Sequence, residues 1–464
     1  MKMKKIHFVG IGGVGMGTLA RALADQGWQV TGSDSSLYEP MKSVLSKANI
    51  ELIQGFDGGT ASRLHPDVVV IGNVIRKDNP EAQAWLQSGT TFLSFPDAVR
   101  RFVIDEKKSI VVAGTHGKTT TTSWLAYALS SFGLAPSYLI GGVPRDLAQG
   151  CQLGEGELFV GEGDEYDSAF FDKGPKFLHY NPNFLILTSV EFDHADIYRD
   201  LNHVRSSFQK LISLLPGDGL CVARFEDPVV MGLAGGALCP IQTFGATNGA
   251  MWRVGKIEED LNGFTFEIIY KGRTLGMFKS PLLGEHNLMN IISGIACMVN
   301  LGISMEKIRP VVETFHGVKR RQEMLATEPI TLIDDFAHHP TEVNATLKAA
   351  RRRFAGSRIW AIFEPRSSTA RRNVHQQEYV QAFDSADYIL VAAPYKQEEL
   401  NESERFSAQQ LVSDLKAKNK EAFTFPSVKE IVDLFCGRYQ KGDTVVVMSN
   451  GEFDKIQEKI LSAL

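Results

Sequence analysis

The sequence predicts an α/β protein of three domains built on open, mainly parallel sheets, and three observations carry that expectation. Short β-branched runs alternate with helical patterns almost throughout. Two glycine-bearing loops, Gly10 to Gly17 and Gly114 to Gly117, each follow an apolar run and precede a helical stretch. The alternation then starts afresh in the last third of the chain. A chain of 464 residues is about three times a typical domain of roughly 150 residues, and the expected segments are 1–107, 108–322 and 323–464.

In the first segment Ile6 to Val9 reads as a strand, the glycine loop follows, Thr18 to Gln26 reads as a helix and Val68 to Ile71 as a buried strand. The second opens with an apolar strand, Ser109 to Ala113, then a second glycine loop and a helix from about Lys118 to Phe132. Two phosphate-type loops imply two separate sheets. Leu158 to Val160 and Phe184 to Thr188 add strands, and two alternating runs between Gly263 and Lys279, broken at Lys271-Gly272, read as a β-hairpin attached to the central sheet. In the third segment Thr331 to Asp334, Ile359 to Phe363, Tyr388 to Val391 and Thr444 to Met448 read as strands with helices between. The helical pattern after Pro340 ends at Arg351-Arg352-Arg353, where cations complement the C-terminal dipole, so a solvated helix end is expected.

Composition narrows the function classes. With 44% hydrophobic and 22% charged residues the chain can bury substantial cores, which rules out disorder as its theme. The net charge of −5 is spread without long single-sign blocks, so neither a nucleic acid nor a membrane surface is an expected partner and a small molecule is. Five widely spaced cysteines without a CxxC pair argue for reduced structural thiols. The basic Met1 to Lys5 stretch imitates a secretion signal, but the apolar run after it is broken by glycines, and a cytoplasmic enzyme is expected.

Gly10-Ile11-Gly12-Gly13-Val14-Gly15 fits GxGxxG between strand and helix, where glycine lets backbone approach a phosphate and the helix N-terminus offers free N–H groups. Asp34 stands at the position that would bind a ribose hydroxyl, so a dinucleotide dehydrogenase is one reading, and glycines that only allow close strand–helix packing are another. Gly114-Thr115-His116-Gly117-Lys118-Thr119-Thr120 is sharper. Backbone N–H groups would cradle phosphates, Lys118 would neutralise β and γ charge, and Thr119 would hold Mg²⁺, although the loop is shorter than the usual G-x-x-x-x-G-K-[ST]. His116 is open between a phosphate contact and packing. Two acidic stretches, Glu162 to Asp167 and Glu191 to Asp196, follow strands and so stand at the sheet edge where α/β proteins place their sites, with oxygen ligands suited to magnesium.

Taken together these motifs resemble the Mur ligase family over nearly the whole chain. Gly114 to Thr120 is similar to its ATP loop, Glu162 to Asp167 and Asp193-His194 to its magnesium-binding acid and histidine, and Gly284-Glu285-His286-Asn287 with Asn290 to its adenine-binding segment. Gly317 to Arg321 resembles its arginine motif, and Asp334 to Thr341 the segment that opens its third domain. The resemblance implies a Rossmann-like N-terminal domain, a central P-loop ATPase-like domain with a parallel sheet plus a small β-hairpin, and a C-terminal Rossmann-like α/β domain.

It also implies an ATP- and Mg²⁺-dependent amide ligase acting through an acyl phosphate. The glycine motif is thereby reassigned to UDP-N-acetylmuramate. Glu165 to Lys173, Glu364 to Thr369 and Met448 to Gly451 look closer to the branch that adds the murein tripeptide L-Ala-γ-D-Glu-meso-diaminopimelate than to the branch that adds L-alanine, which is the alternative. By the resemblance, the catalytic residues are Lys118, Glu162, His194 and Arg321; the metal ligands are Thr119, Glu162 and His194; and ATP is held by Gly114 to Thr120, His286, Asn287, Asn290, Arg321 and Asp335. Gly12, Gly13, Val14, Gly15, Asp34 and Asn73 are assigned to the UDP-sugar, and Arg366, Ser367, Thr369 and Asn450 to the peptide, Arg366 as a bidentate carboxylate partner. The amine-deprotonating base is unassigned, and the oligomeric state is left open between monomer and weak dimer.

Overall fold

A computed structural model of the chain describes residues 4–37 and 41–464; Met1 to Met3 of the basic N-terminal stretch lie outside the described residues. Three large sheets follow one another. The first is wholly parallel, in the order Ile50–Gln54, Gln29–Asp34, Lys5–Val9, Val68–Ile71 and Phe92–Ser94. Strand order reverses between Lys5–Val9 and Val68–Ile71, which is where open α/β sheets leave a crevice at their carboxyl ends. Gly10 to Gly13 leave the first of these strands and Gly72-Asn73 the second, so the order of strands brings the two loops together.

The helix after the glycine loop begins at Val14, not Thr18, because the last glycines of the motif form its first turn; Gly13 is its extended N-cap. Gly15 faces the ring of Phe95 so closely that a Cβ there would stand 2.8 Å from Phe95 Cζ. This loop therefore needs glycine for packing as well as for any phosphate.

The central sheet has ten strands. Its P-loop strand, Lys108–Ala113, lies between Leu158–Gly163 and Phe184–Leu187, with Ala113 opposite both Gly163 and Leu187. That register ends all three strands at one level, so the phosphate loop is flanked on both sides by an acid-bearing loop. The expected hairpin, attached to the central sheet as the sequence suggests, is the outer part of an antiparallel meander, Trp252–Asp260, Gly263–Tyr270 and Arg273–Ser280, which continues the parallel sheet. Apolar side chains fill both faces, with Trp124, Leu129, Ile291 and Ile295 under the face that also receives Phe266 and Phe278.

The third sheet runs Glu323–Ala326, Thr331–Asp335, Thr444–Met448, Ile359–Phe363, Tyr388–Ala392 and Glu421–Phe425, parallel except for its first strand. Its strands are apolar at nearly every position because helices cover both faces.

The solvated helix end expected at Arg351 to Arg353 is corrected at its last residue. Arg353 is only 7% exposed, and it reaches from helix Pro340–Arg353 into the central meander. Its Nε donates to Glu259 at 3.0 Å and its Nη2 to the Leu282 carbonyl at 3.0 Å, and the guanidinium lies over the Phe264 ring. Helix periodicity places a cation at a helix end, but it carries no information about which domain that end abuts. All five cysteines are free and four of them are buried, among the described residues. No described helix is long and apolar enough to cross a membrane.

Candidate active site

The P-loop forms as the spacing suggests. Gly117 has a positive φ of 80° immediately before helix Lys118–Ser131, and a Cβ there would come within 2.5 Å of Asn290 Oδ1. The first turns of helix Glu285–Asn300 are thus packed against this glycine loop. Lys118 curls back, its Nζ donating to the carbonyls of Gly114 at 2.6 Å and Thr115 at 3.1 Å and to Glu165 at 3.1 Å. Burial opposes its charge, but the carboxylates of Glu165, Glu162 and Asp164 outweigh that and raise its pKa. Thr119 Oγ1 donates to Glu162 Oε1 at 2.9 Å, while the other Glu162 oxygen accepts the Gly141 N–H at 2.8 Å.

On the opposite flank His194, in a left-handed backbone conformation (φ 56°), pairs through Nε2 with Glu165 Oε1 at 2.9 Å. Lys118, Thr119, Glu162, Glu165 and His194 therefore form one patch at the strand ends. Its donors are a hydroxyl, carboxylates and one imidazole, and the exposed edge of Glu162 beside Thr119 supplies the hard oxygen atoms that magnesium takes. Glu165 was not singled out by sequence, although it lies within the acidic stretch; only the fold shows that it faces the lysine.

Residues from the third sheet close the site. Arg321 lies between the second and third sheets, with its guanidinium 4.5 Å from the centre of the Phe336 ring and Nη2 3.5 Å from Thr119 Oγ1. Asp335 is buried, and burial pushes its carboxyl up to about 7 despite Arg321 nearby; it accepts from the backbone N–H groups of Gln322 and Ala337. His286, Asn287 and Asn290 sit on the first turns of helix Glu285–Asn300. Asn290 donates to Asn287 at 2.9 Å, and burial pulls the His286 imidazole down to about 4, so it is neutral at physiological pH.

His116, open in the sequence between a phosphate contact and packing, joins two sheets. Its Nε2 meets Glu191 at 2.8 Å and its Nδ1 meets Glu342, on the first turn of helix Pro340–Arg353, at 3.1 Å. Burial disfavours the imidazolium, but the two carboxylates raise its pKa from 6.5 to about 10. Because the folded state raises this pKa, the stabilisation is complete below 6.5 and is lost as pH climbs through about 10. A His116→Gln variant is accordingly expected to melt below the parent at neutral pH, with the gap in melting temperature shrinking as pH rises towards 10. A gap that stays constant over that range would refute the ion-pair account.

These parts surround one cavity of about 970 Å³. Val14, Gly15 and Phe95 line it from the first sheet, Thr115 to Thr120, Glu162 and His194 from the second, and Asp335, His338 and Glu342 from the third. The remaining expected residues stand elsewhere. Gly12 donates its N–H to Asp34 Oδ2 at 2.8 Å, and Asn73 is exposed beyond the strand-order reversal. Arg366 stacks 3.9 Å from the centre of the Tyr395 ring, and the Ser367 hydroxyl accepts the Ala370 N–H. Thr369 is buried and accepts the Ala195 N–H at 3.1 Å, which ties the third sheet to the His194 loop; Asn450 Oδ1 is buried with no hydrogen-bond partner among the described residues. Arg224, Glu226 and Phe244 also line the cavity and were missed. Their signal was present: Leu220 to Ala223 is an apolar run that ends in charged residues.

Comparison with known proteins finds three family models in chain order: Mur ligase family, catalytic domain, over residues 5–107; Mur ligase middle domain over 112–298; and Mur ligase, glutamate ligase domain, over 320–451. The UDP-N-acetylmuramate–L-alanyl-γ-D-glutamyl-meso-2,6-diaminoheptandioate ligase of Escherichia coli K12 is 36% identical, over 99% of this chain and 98% of that one. The crystal structure of a murein peptide ligase from Psychrobacter arcticus is similar with a TM-score of 0.72 and 32% identity, over 99% of this chain and 98% of that one. A UDP-N-acetylmuramate–alanine ligase from Thermotoga maritima superposes with a TM-score of 0.79 at 26% identity, over the same shares.

Proposed function

The chain belongs to the Mur ligase family of ATP-dependent ligases, and from that premise we propose that it joins UDP-N-acetylmuramate to the tripeptide L-Ala-γ-D-Glu-meso-diaminopimelate. The observation that carries the reading is the single cavity in which a glycine loop of the first sheet, the P-loop of the second and polar residues of the third face one another. A ligase needs that meeting, because nucleotide, acid and amine must react in one place. The tripeptide is favoured over L-alanine by identity: relatives that carry the tripeptide in their names are 36% and 35% identical over the full length, against 31% for an L-alanine ligase over the same extent.

A carboxylate is a poor electrophile in water. Here the lactyl carboxylate of the sugar attacks the γ-phosphorus of ATP and ADP leaves, giving an acyl phosphate. The peptide amine then adds to its carbonyl, loses a proton, and expels phosphate. Lys118 exchanges its contact with Glu165 for the phosphates and neutralises charge that develops during transfer. Thr119, Glu162 and His194 would hold magnesium, which supplies further charge neutralisation on the phosphates. Arg321 reaches the phosphates from the edge of the third sheet, and His286, Asn287, Asn290 and Asp335 form the nucleoside end. Gly12 to Gly15, Asp34 and Asn73 take the UDP-sugar, and Arg366, Ser367, Thr369 and Asn450 the peptide. The three walls exclude water that would otherwise hydrolyse the acyl phosphate.

The test offers UDP-N-acetylmuramate and ATP with either the tripeptide or L-alanine and identifies the product by mass. The tripeptide adduct, formed with one ADP per bond, is expected. Preferential formation of the alanine adduct, or ADP release indifferent to any amine, would overturn the assignment.

A further inference from the structure

We propose that His179 is a positioning residue that fastens the first sheet to the central domain and so sets the distance between the glycine loop and the P-loop. It rests on the functional reading above in one respect only, that the glycine loop holds the UDP-sugar. His179 lies on the short helix Lys176–Tyr180 of the central domain, directly after the antiparallel pair Asp167–Ala169 and Asp172–Pro175. Its Nδ1 meets Asp97 Oδ1 of the first domain at 2.9 Å, and its Nε2 meets Asp172 Oδ2 at 2.8 Å and Ser168 Oγ at 3.2 Å. Both ring nitrogens are engaged, one on each side of the boundary.

The partner in the first domain is well placed to transmit the contact. Asp97 stands on helix Phe95–Val99, where it also accepts from Ser94 Oγ at 2.7 Å. Two residues earlier, Phe95 is the ring that abuts Gly15 and lines the cavity. A shift of Asp97 therefore moves the wall against which the glycine loop is packed.

A second anchor bears on the same loop from the other side. Phe170, at the tip of the antiparallel pair, packs against the cluster of Val9, Ile71 and Ile75, and Ile75 in turn crowds Gly10, whose Cβ would lie 3.1 Å from its Cδ1. Phe171 beside it meets the Phe92 ring edge-on at 5.3 Å. Phe170 thus bears on the carboxyl ends of the two strands where the order reverses, while His179 and Phe171 hold the edge strand Phe92–Ser94 and the helix after it. None of these side chains belongs to the P-loop or to the patch of Lys118, Thr119, Glu162, Glu165 and His194, so the device bears on sugar placement before nucleotide binding.

The experiment measures dissociation constants for UDP-N-acetylmuramate and for ATP, together with kcat, in the wild-type protein, in His179→Gln, in Asp97→Asn and in the double variant. The expected result is a roughly tenfold weaker constant for the sugar nucleotide in each single variant, no further loss in the double variant because the two act as one contact, and an unchanged constant for ATP. Phe171→Ser, at a half-exposed tip, is expected to weaken sugar binding in the same direction and supplies a second measurement if His179→Gln folds poorly. Additive losses, an equal loss of ATP binding, or unchanged sugar binding in both His179→Gln and Phe171→Ser would overturn the proposal. A wild-type protein that binds ATP but not UDP-N-acetylmuramate would instead overturn the functional reading, and this inference with it.

Discussion

Lys118→Ala is expected to lower the rate of ADP release with all substrates present on the order of 10²–10³-fold while leaving the fold intact. The lysine is the cation at the start of the P-loop helix, and its three present contacts are two backbone carbonyls and Glu165. Under the proposed mechanism, removing it takes away charge at the position where phosphoryl transfer develops it. Glu165 is almost wholly buried and keeps His194 as a partner, so the variant folds but melts below the parent as it loses the reaction. The measurement is coupled ADP release beside a melting curve. A folded variant that forms the amide at the parental rate would remove the basis for placing phosphoryl transfer at this loop.

Arg353→Ala is expected to carry the largest cost in stability, about 3 kcal/mol, because it leaves Glu259 buried with one partner gone. The Glu259 carboxylate is divided between Arg353 and Arg352, each at 3.0 Å, and Arg352 also reaches Glu285, the residue before His286. Arg353 furthermore satisfies the Leu282 carbonyl, so its removal orphans a buried acceptor as well. Helix Pro340–Arg353 is therefore pinned at its C-terminal end by Arg353 and at its N-terminal end by Glu342 against His116, and between those points Ala345 and Thr346 line the cavity. Weaker ATP binding should accompany the lost stability. The check is thermal unfolding of Arg353→Ala beside Arg353→Met with Glu259→Met, in which no unpaired charge remains; a double variant no more stable than Arg353→Ala would contradict the explanation.

Much of the site was legible because its chemistry requires particular residues at short range along the chain. Gly114, Gly117, Lys118 and Thr119 stand within one turn between a strand and a helix, the short spacing at which glycine backbone and a cation can serve one phosphate. Glu162 and His194 were legible for a related reason: each follows an apolar strand, and the ends of parallel strands share one edge of the sheet. Other roles depended on contacts between distant segments. His116 lies 226 positions before Glu342 along the chain, and nothing in either local pattern indicates the pairing. Arg353 looked like an ordinary helix-end cation for the same reason. Thr369, assigned to the peptide from its motif, lies with its hydroxyl on the Ala195 N–H, 174 positions away.

By itself, then, the sequence determined the α/β class, the two phosphate-type loops, the flanking acids and the family, since each is written in residue types at fixed local spacing or in the likeness of whole motifs. The tertiary structure alone decided which charges meet. It turned His116, His179 and Arg353 into ties between domains, added the strand Trp252–Asp260 that makes the hairpin a meander, and brought Glu165 to Lys118. The physical reason is that periodicity and turn chemistry act over a few residues, whereas burial and ion pairing depend on the register in which separate sheets come together.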